Sequence, residues 1–191
     1  VAEGVKRAAR HHRYDALTGV QSQRLVVVLG NVTDAAVAAR AVLSHFAPGP
    51  VVVGPVVPRL ADAGRSAKES LTALRAAVAW PDAPRPVLAE DLLPERALDG
   101  DDDAVARLVT EVYDLLLAED PALVETLSAY LERTGSLEGT ARELFVHPNT
   151  VRYRLRRVAD VTGLTPTIPR DAWSLRMALA LGRLGEDRTS T

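Results

Sequence analysis

One stretch restricts this chain more than any other: LEGTARELFVHPNTVRYRLRRVADVTGL at residues 137–164. Ser136 is suited to cap a short helix over 137–145, and a tight turn follows. Pro148 then opens a longer helix with His147 at its N-cap, because proline costs nothing at the first helical position. Along that second helix Val151, Leu155 and Val158 recur at i, i+4 and i+7, which makes one inward stripe. Gly163 supplies the left-handed residue that commonly ends a helix. Short helix, tight turn and longer helix have helix-turn-helix proportions. Ala141 is small where the two helices would cross, and Leu144 and Val146 are expected to fill the space beneath the turn.

With Val151 taken as the inward direction at 100° per residue, Asn149, Tyr153 and Arg156 point nearly opposite. Arg152 and Arg157 flank them, and Arg154 lies nearer the core edge, where its stem can snorkel outward. A face of Asn, Tyr and Arg can fork to guanine edges, pair with adenine and bind phosphate. The net charge of −2 hides a local excess: residues 121–184 hold nine Arg against six acids, and no acid lies between His147 and Val158. Such a stripe is the electrostatic footprint of a small nucleic-acid reader, although a solvated helix face has the same composition. A solvated face would more often mix signs, whereas here Arg152, Arg156 and Arg157 are expected to repel one another without an anion.

Elsewhere the composition mainly excludes. There is no cysteine, so disulfide frameworks and thiolate metal sites are out. No apolar run approaches the roughly 20 residues of a membrane span, and the start does not read as a signal peptide. A cytoplasmic protein is therefore expected, and Val1 in place of Met suggests a piece of a longer chain. His11 and His12 are adjacent and would diverge on a helix, so a solvated or disordered start is expected rather than a metal site. Gly49 and Gly54 lack the Lys-Ser/Thr of a phosphate loop, and Ser44–His45 lacks the surroundings of a triad. Trp80 and Trp173 read as core anchors.

Residues 1–100 read as an α+β domain. Extended runs at 15–20 and 24–29 flank Gln21, Ser22 and Gln23 as a hairpin. Thr33–Asp34 cap an Ala-rich helix to about Phe46, and the β-branched run 51–57 suggests a buried strand. A helix over 61–80 carries Leu71, Leu74 and Val78 at helical spacing, and Val87–Leu88 suggests a short strand. That order predicts one sheet covered by helices. Asp101, Asp102 and Asp103 could form a metal-binding carboxylate cluster. Adjacent positions diverge, however, so N-capping of a connecting helix is preferred. That connection spans 101–120, with Val105, Leu108, Val109, Val112, Leu115 and Leu116 on one face over 104–118. An all-α domain fills 121–191, with a last helix over 171–184 and a polar tail over 185–191.

The segment 123–184, through Ala141, Leu144, Phe145, His147, Asn149, Thr150, Val151, Arg152, Tyr153, Arg154 and Leu155, closely resembles the C-terminal domain of the PucR/CdaR family of bacterial transcriptional regulators. It is also similar to the helix-turn-helix of the factor for inversion stimulation. Pro148 departs from the pattern, since many relatives place Arg there, so one base or phosphate contact is missing. The resemblance implies a DNA-binding set of His147, Asn149, Thr150, Arg152, Tyr153, Arg156 and Arg157. It also implies a degenerate GGDEF-like domain over 1–100, in which the hairpin turn has none of the carboxylates that catalysis needs to hold Mg²⁺. The stretches PVVVGPVVPRL and WPDAPRPVLAEDLLPERAL resemble actinobacterial members, including regulators of fatty-acid biosynthesis genes.

The expected partner is double-stranded operator DNA. Because one recognition helix spans few base pairs, a homodimer is expected to read two half-sites. A small-molecule effector stays open. No cofactor, metal, membrane or catalytic residue is expected. Two other readings compete: a nucleotide-binding or nucleotide-processing enzyme with a helical appendage, and a helix-turn-helix that binds protein.

Overall fold

The computed structural model describes residues 1–133 and 135–189. It divides into two compact units, 1–99 and 100–191. The first is mixed α/β and the second helical. No helix among the described residues is long and apolar enough to cross a membrane.

The first unit opens with a helix where a solvated start was expected: α1, Ala2–His11. Its signal is easily missed among Lys6, Arg7 and Arg10, because only Val5 and Ala9 are fully buried. Those two sit one helical turn apart and so share a face. They pack with Val42, Ala16, Leu25, Val27 and Leu29. Strands β1, Asp15–Gln21, and β2, Arg24–Gly30, pair antiparallel from Asp15↔Gly30 to Gln21↔Arg24. Ser22 and Gln23 form the turn, with Ser22 in the left-handed region. The side chain of Asp34 accepts from the Val37 N–H at 2.9 Å and starts α2, Ala35–Val42, which tightens into a 3₁₀ turn over Leu43–His45.

The single sheet expected here is instead two sheets of two strands each. Only β3, Val52–Val53, forms from the run 51–57, and it pairs parallel with β4, Val87–Leu88. Gly54 explains the early end. A Cβ there would lie 2.4 Å from the Ser66 carbonyl oxygen, so the chain passes hard against the helix carrying Ser66 instead of continuing a ladder. That helix is α3, Ala63–Ala76, bounded by 3₁₀ turns over Leu60–Asp62 and Ala77–Ala79. At 100° per residue the Ala73, Ala76 and Ala77 positions share one face of this helix, and Leu71, Leu74 and Val78 lie on another. Val78, expected to pack with Leu71 and Leu74, is 84% exposed, and the buried face is the one with Ala73 and Ala77. They pack with Val87, Ala89 and Leu92, against which Trp80 lies half-buried. A short helix α4, Leu93–Leu98, carries Arg96, buried and donating to the Ala89 carbonyl at 3.3 Å.

The second unit begins as the capping argument requires: the Asp101 carboxylate accepts from the Asp103 N–H at 3.1 Å. The segment expected as one helix over 104–118 has three parts, α5 (Asp102–Leu108), a π-helical turn (Val109–Tyr113) and α6 (Asp114–Glu119). The wider π turn rotates the later residues. Val112, Tyr113 and Leu116 are buried and Leu115, placed on the same face by straight 3.6 periodicity, is exposed. Helices α7 (Pro121–Glu132), α8 (Leu137–Glu143), α9 (Pro148–Thr162) and α10 (Pro169–Thr189) follow. The last extends through part of the expected polar tail, whose Ser190 and Thr191 lie outside the described residues. Trp173 on α10 is 37% exposed rather than a core anchor.

Helix α10 packs on the π-helical turn through the contact of Gly182 with Tyr113. A Cβ on Gly182 would come within 2.1 Å of the Tyr113 ring. Burial, together with a hydrogen bond to the Glu186 carboxylate, pushes the Tyr113 phenol above its ordinary range. Gly182→Ala is expected to destabilise this unit by about 1–3 kcal/mol through overpacking, read as a lower urea midpoint. An unchanged midpoint would show that the ring does not sit on this glycine.

Candidate nucleic-acid interface

Three caps set the geometry of the segment 120–163. Asp120 accepts from the Ala122 N–H at 2.9 Å and starts α7 behind Pro121. Ser136 accepts from the Gly139 N–H at 3.1 Å and starts α8. His147 Nδ1 accepts from the Asn149 N–H at 3.1 Å and starts α9 behind Pro148. Each satisfies one of the backbone donors that a helix start leaves open. At the far end Gly163 takes φ +73° and its N–H bonds the Ala159 carbonyl at 2.8 Å, closing α9 where expected.

Helices α8 and α9 pack on each other and on α7. Thr140 and Ala141 are buried on α8, and Val151, Leu155 and Val158 on α9. Leu144 and Val146 of the connecting turn are half-buried. The inward stripe read from the sequence is therefore the buried one. Asn149, Arg152, Tyr153 and Arg156 are all exposed, Tyr153 at 68%. His147 is exposed as well, while Thr150 is half-buried between the two faces.

The expected mutual repulsion of the arginines is not how the helix is arranged. Arg152 Nη1 donates to Asn149 Oδ1 at 2.5 Å. Arg157 donates from Nε at 2.9 Å and Nη2 at 2.6 Å to one oxygen of Glu119, at the end of α6. That hydrogen bond and the carboxylate charge raise the guanidinium further above its already high range. The counter-charge comes from a residue 38 positions away, so no local reading of 147–158 could supply it. Arg154 runs inward and donates to Thr126 Oγ1 at 3.0 Å, where Thr126 is fully buried on α7. Arg156 makes no hydrogen bond or ion pair with another described residue. It is the arginine of this face left open to an anion.

Phe145, expected at the end of the short helix and as part of the family motif, lies beyond that helix, which stops at Glu143. In the turn between α8 and α9 it is 96% exposed and takes φ +53°. Its identity as a large apolar residue two positions before an N-cap was the available signal, but its backbone angle was not.

A model of the PucR C-terminal helix-turn-helix domain matches residues 123–181, and a GGDEF-like domain matches residues 1–76. The crystal structure of a regulator of polyketide synthase expression from Bifidobacterium adolescentis superimposes with a TM-score of 0.81 at 39% identity, covering 96% of this chain and 74% of that one. The chain belongs to the PucR family. Further PucR-type similarity comes from the purine catabolism regulatory protein of Bacillus subtilis, 42% identical over 66 residues, which are 35% of this chain and 12% of that protein. An uncharacterised Mycobacterium tuberculosis protein is 51% identical over 178 residues, 93% of this chain. The chain spans 43% of the length of that mycobacterial relative. In this PucR-family chain the hairpin turn of the GGDEF-like unit is Ser22–Gln23, between Gln21 and Arg24, and carries no carboxylate.

The His147 cap can be tested without any ligand. His147→Ala is expected to cost about 0.5–2 kcal/mol in chemical denaturation, and His147→Asn to restore most of it, because Asn offers the same kind of acceptor. Equal stability of the Ala variant and the parent would show that the cap bond carries no weight.

Proposed function

We propose that the chain acts as a sequence-specific DNA-binding transcription regulator, with α9 as the recognition helix. The observation that carries this reading is the division of α9 into two faces. Val151, Leu155 and Val158 are buried, and Asn149, Arg152, Tyr153 and Arg156 stand exposed opposite them. Helix N-termini attract phosphate, and the first turns of a recognition helix meet base edges. Asn149 and Arg152 occupy those turns, and Arg156 follows one turn later. The Bacillus and Bifidobacterium relatives, a purine catabolism regulatory protein and a regulator of polyketide synthase expression, support a regulatory role in metabolism. Fatty-acid biosynthesis genes, suggested by resemblance, are one such set of targets. The domains follow as 1–100 for a GGDEF-like signalling or dimerisation module without catalysis, 101–120 for the connection and 121–191 for the reader. A homodimer on two half-sites completes the proposal, with an effector of unknown chemistry acting on the first module.

Roles on α9 separate by surroundings. Arg156→Ala is expected to cost roughly 1–3 kcal/mol of binding and relax preference at one base position. Arg157 has to leave Glu119 before it can meet a phosphate. Arg157→Ala should therefore weaken all sequences alike and lower the salt slope by about 0.9, while Glu119→Gln, which frees the guanidinium, should do the reverse. Leu155→Ala should instead lower stability by roughly 2–5 kcal/mol. Titrations against DNA fragments recovered with the parent protein, at several salt concentrations and with folding checked by circular dichroism, test the set. If folded Arg152, Arg156 and Arg157 variants all bind like the parent, α9 is not the reader.

A GTP incubation tests the other module. With Mg²⁺ present, no cyclic dinucleotide is expected above a protein-free background.

A further inference from the structure

Phe145 is paradoxical on two counts. A phenyl ring that is 96% exposed gains nothing from burial, which is the usual reason for placing phenylalanine in a folded chain. Its φ of +53° lies in the left-handed region, where a side chain with a Cβ is disfavoured and glycine or asparagine is the ordinary choice. The turn itself needs this backbone angle, since the Phe145 N–H reaches the Arg142 carbonyl at 3.4 Å and the Val146 N–H the Ala141 carbonyl at 3.0 Å. It does not need the ring. Local strain kept without a packing return is a pointer to function.

The surroundings say what the ring meets. Exposed Arg142 lies three residues before it, and the exposed cap His147 two residues after, leading into Asn149 and Arg152. A duplex that receives the N-terminus of α9 reaches this turn next. The apolar residues on either side in the chain, Leu144 and Val146, are half-buried, so within this turn the ring is the one strongly exposed apolar side chain, less than the contiguous patch that a protein partner covers. We propose that Phe145 is a DNA-contacting residue, seating its ring on apolar DNA surface, a thymine methyl or a deoxyribose face, at the border of the groove that α9 enters. The inference rests on the DNA-binding reading above.

Glycine at this position separates strain from contact. The chain is used to select duplexes from a random-sequence library, and the selected duplex is titrated by fluorescence anisotropy with the parent, Phe145→Gly and Phe145→Tyr. Thermal melting of each protein accompanies the titrations. Phe145→Gly is expected to melt at the same or a higher temperature, because glycine takes the left-handed angle freely. It should nevertheless bind about tenfold more weakly, the scale of one lost contact of about 1.4 kcal/mol. Phe145→Tyr keeps the ring and should bind like the parent. Replacing individual thymines by uracil distinguishes the two surfaces: a methyl contact weakens the parent at one position and leaves Phe145→Gly unaffected there, and a deoxyribose contact shows no such position. A Phe145→Gly protein that binds as tightly as the parent overturns the inference, as does one that melts markedly lower, since the ring would then be structural. If the parent selects no sequence at all, the DNA-binding reading itself falls.

Discussion

The second unit depends on the burial of three side chains, Val151, Leu155 and Val158, along one stripe of α9. Their spacing of four and three residues fixes the rotation of the helix about its own axis. Once the stripe faces α7 and α8, the positions of Asn149, Arg152, Tyr153 and Arg156 on the opposite side are no longer free. Chemistry on the outer face is thus positioned by apolar packing on the inner one, and a change in the stripe would misdirect every polar group at once.

Electrostatics then sorts the arginines of that helix. Arg154 spends its charge on the buried hydroxyl of Thr126, tying α9 to α7. Arg157 is held by Glu119, and Arg152 is steadied by Asn149. Exposed pairs of this kind contribute little to stability, a median of roughly 0–1 kcal/mol, because water screens them. Their weight lies in which charges are left available. Four arginines that look alike in sequence have four different surroundings.

The first unit shows how small residues decide an architecture. Gly54 lets the chain pass against Ser66, which ends β3 after two residues, and Ala73 and Ala77 allow α3 to lie close on β4. The core of this unit is built mainly from alanine and valine, so single close approaches matter more than large anchors. That is why the half-buried Trp80 carries less of this core than its size suggests.

Much of the second unit was legible in the sequence because its signals are local: the caps Asp101, Ser136 and His147, the stop at Gly163 and the inward stripe of α9. Local signals also gave the hairpin and the Asp34 cap. What sequence could not give was anything that depends on a distant partner or a change of helical pitch. The short α1 needed only Val5 and Ala9 to be buried, too few to stand out in a charged segment. The π turn before Asp114 shifted a stripe that constant periodicity had extended, and on α3 the small residues Ala73 and Ala77, not the larger Leu71, Leu74 and Val78, mark the buried face. The partners of Arg154 and Arg157 lie 28 and 38 residues away. The sequence by itself determined which face of α9 turns inward, since hydrophobic spacing is a property of the helix alone. Only the tertiary structure decided which of its arginines remain open to an anion, because the charges that occupy them are brought near by folding.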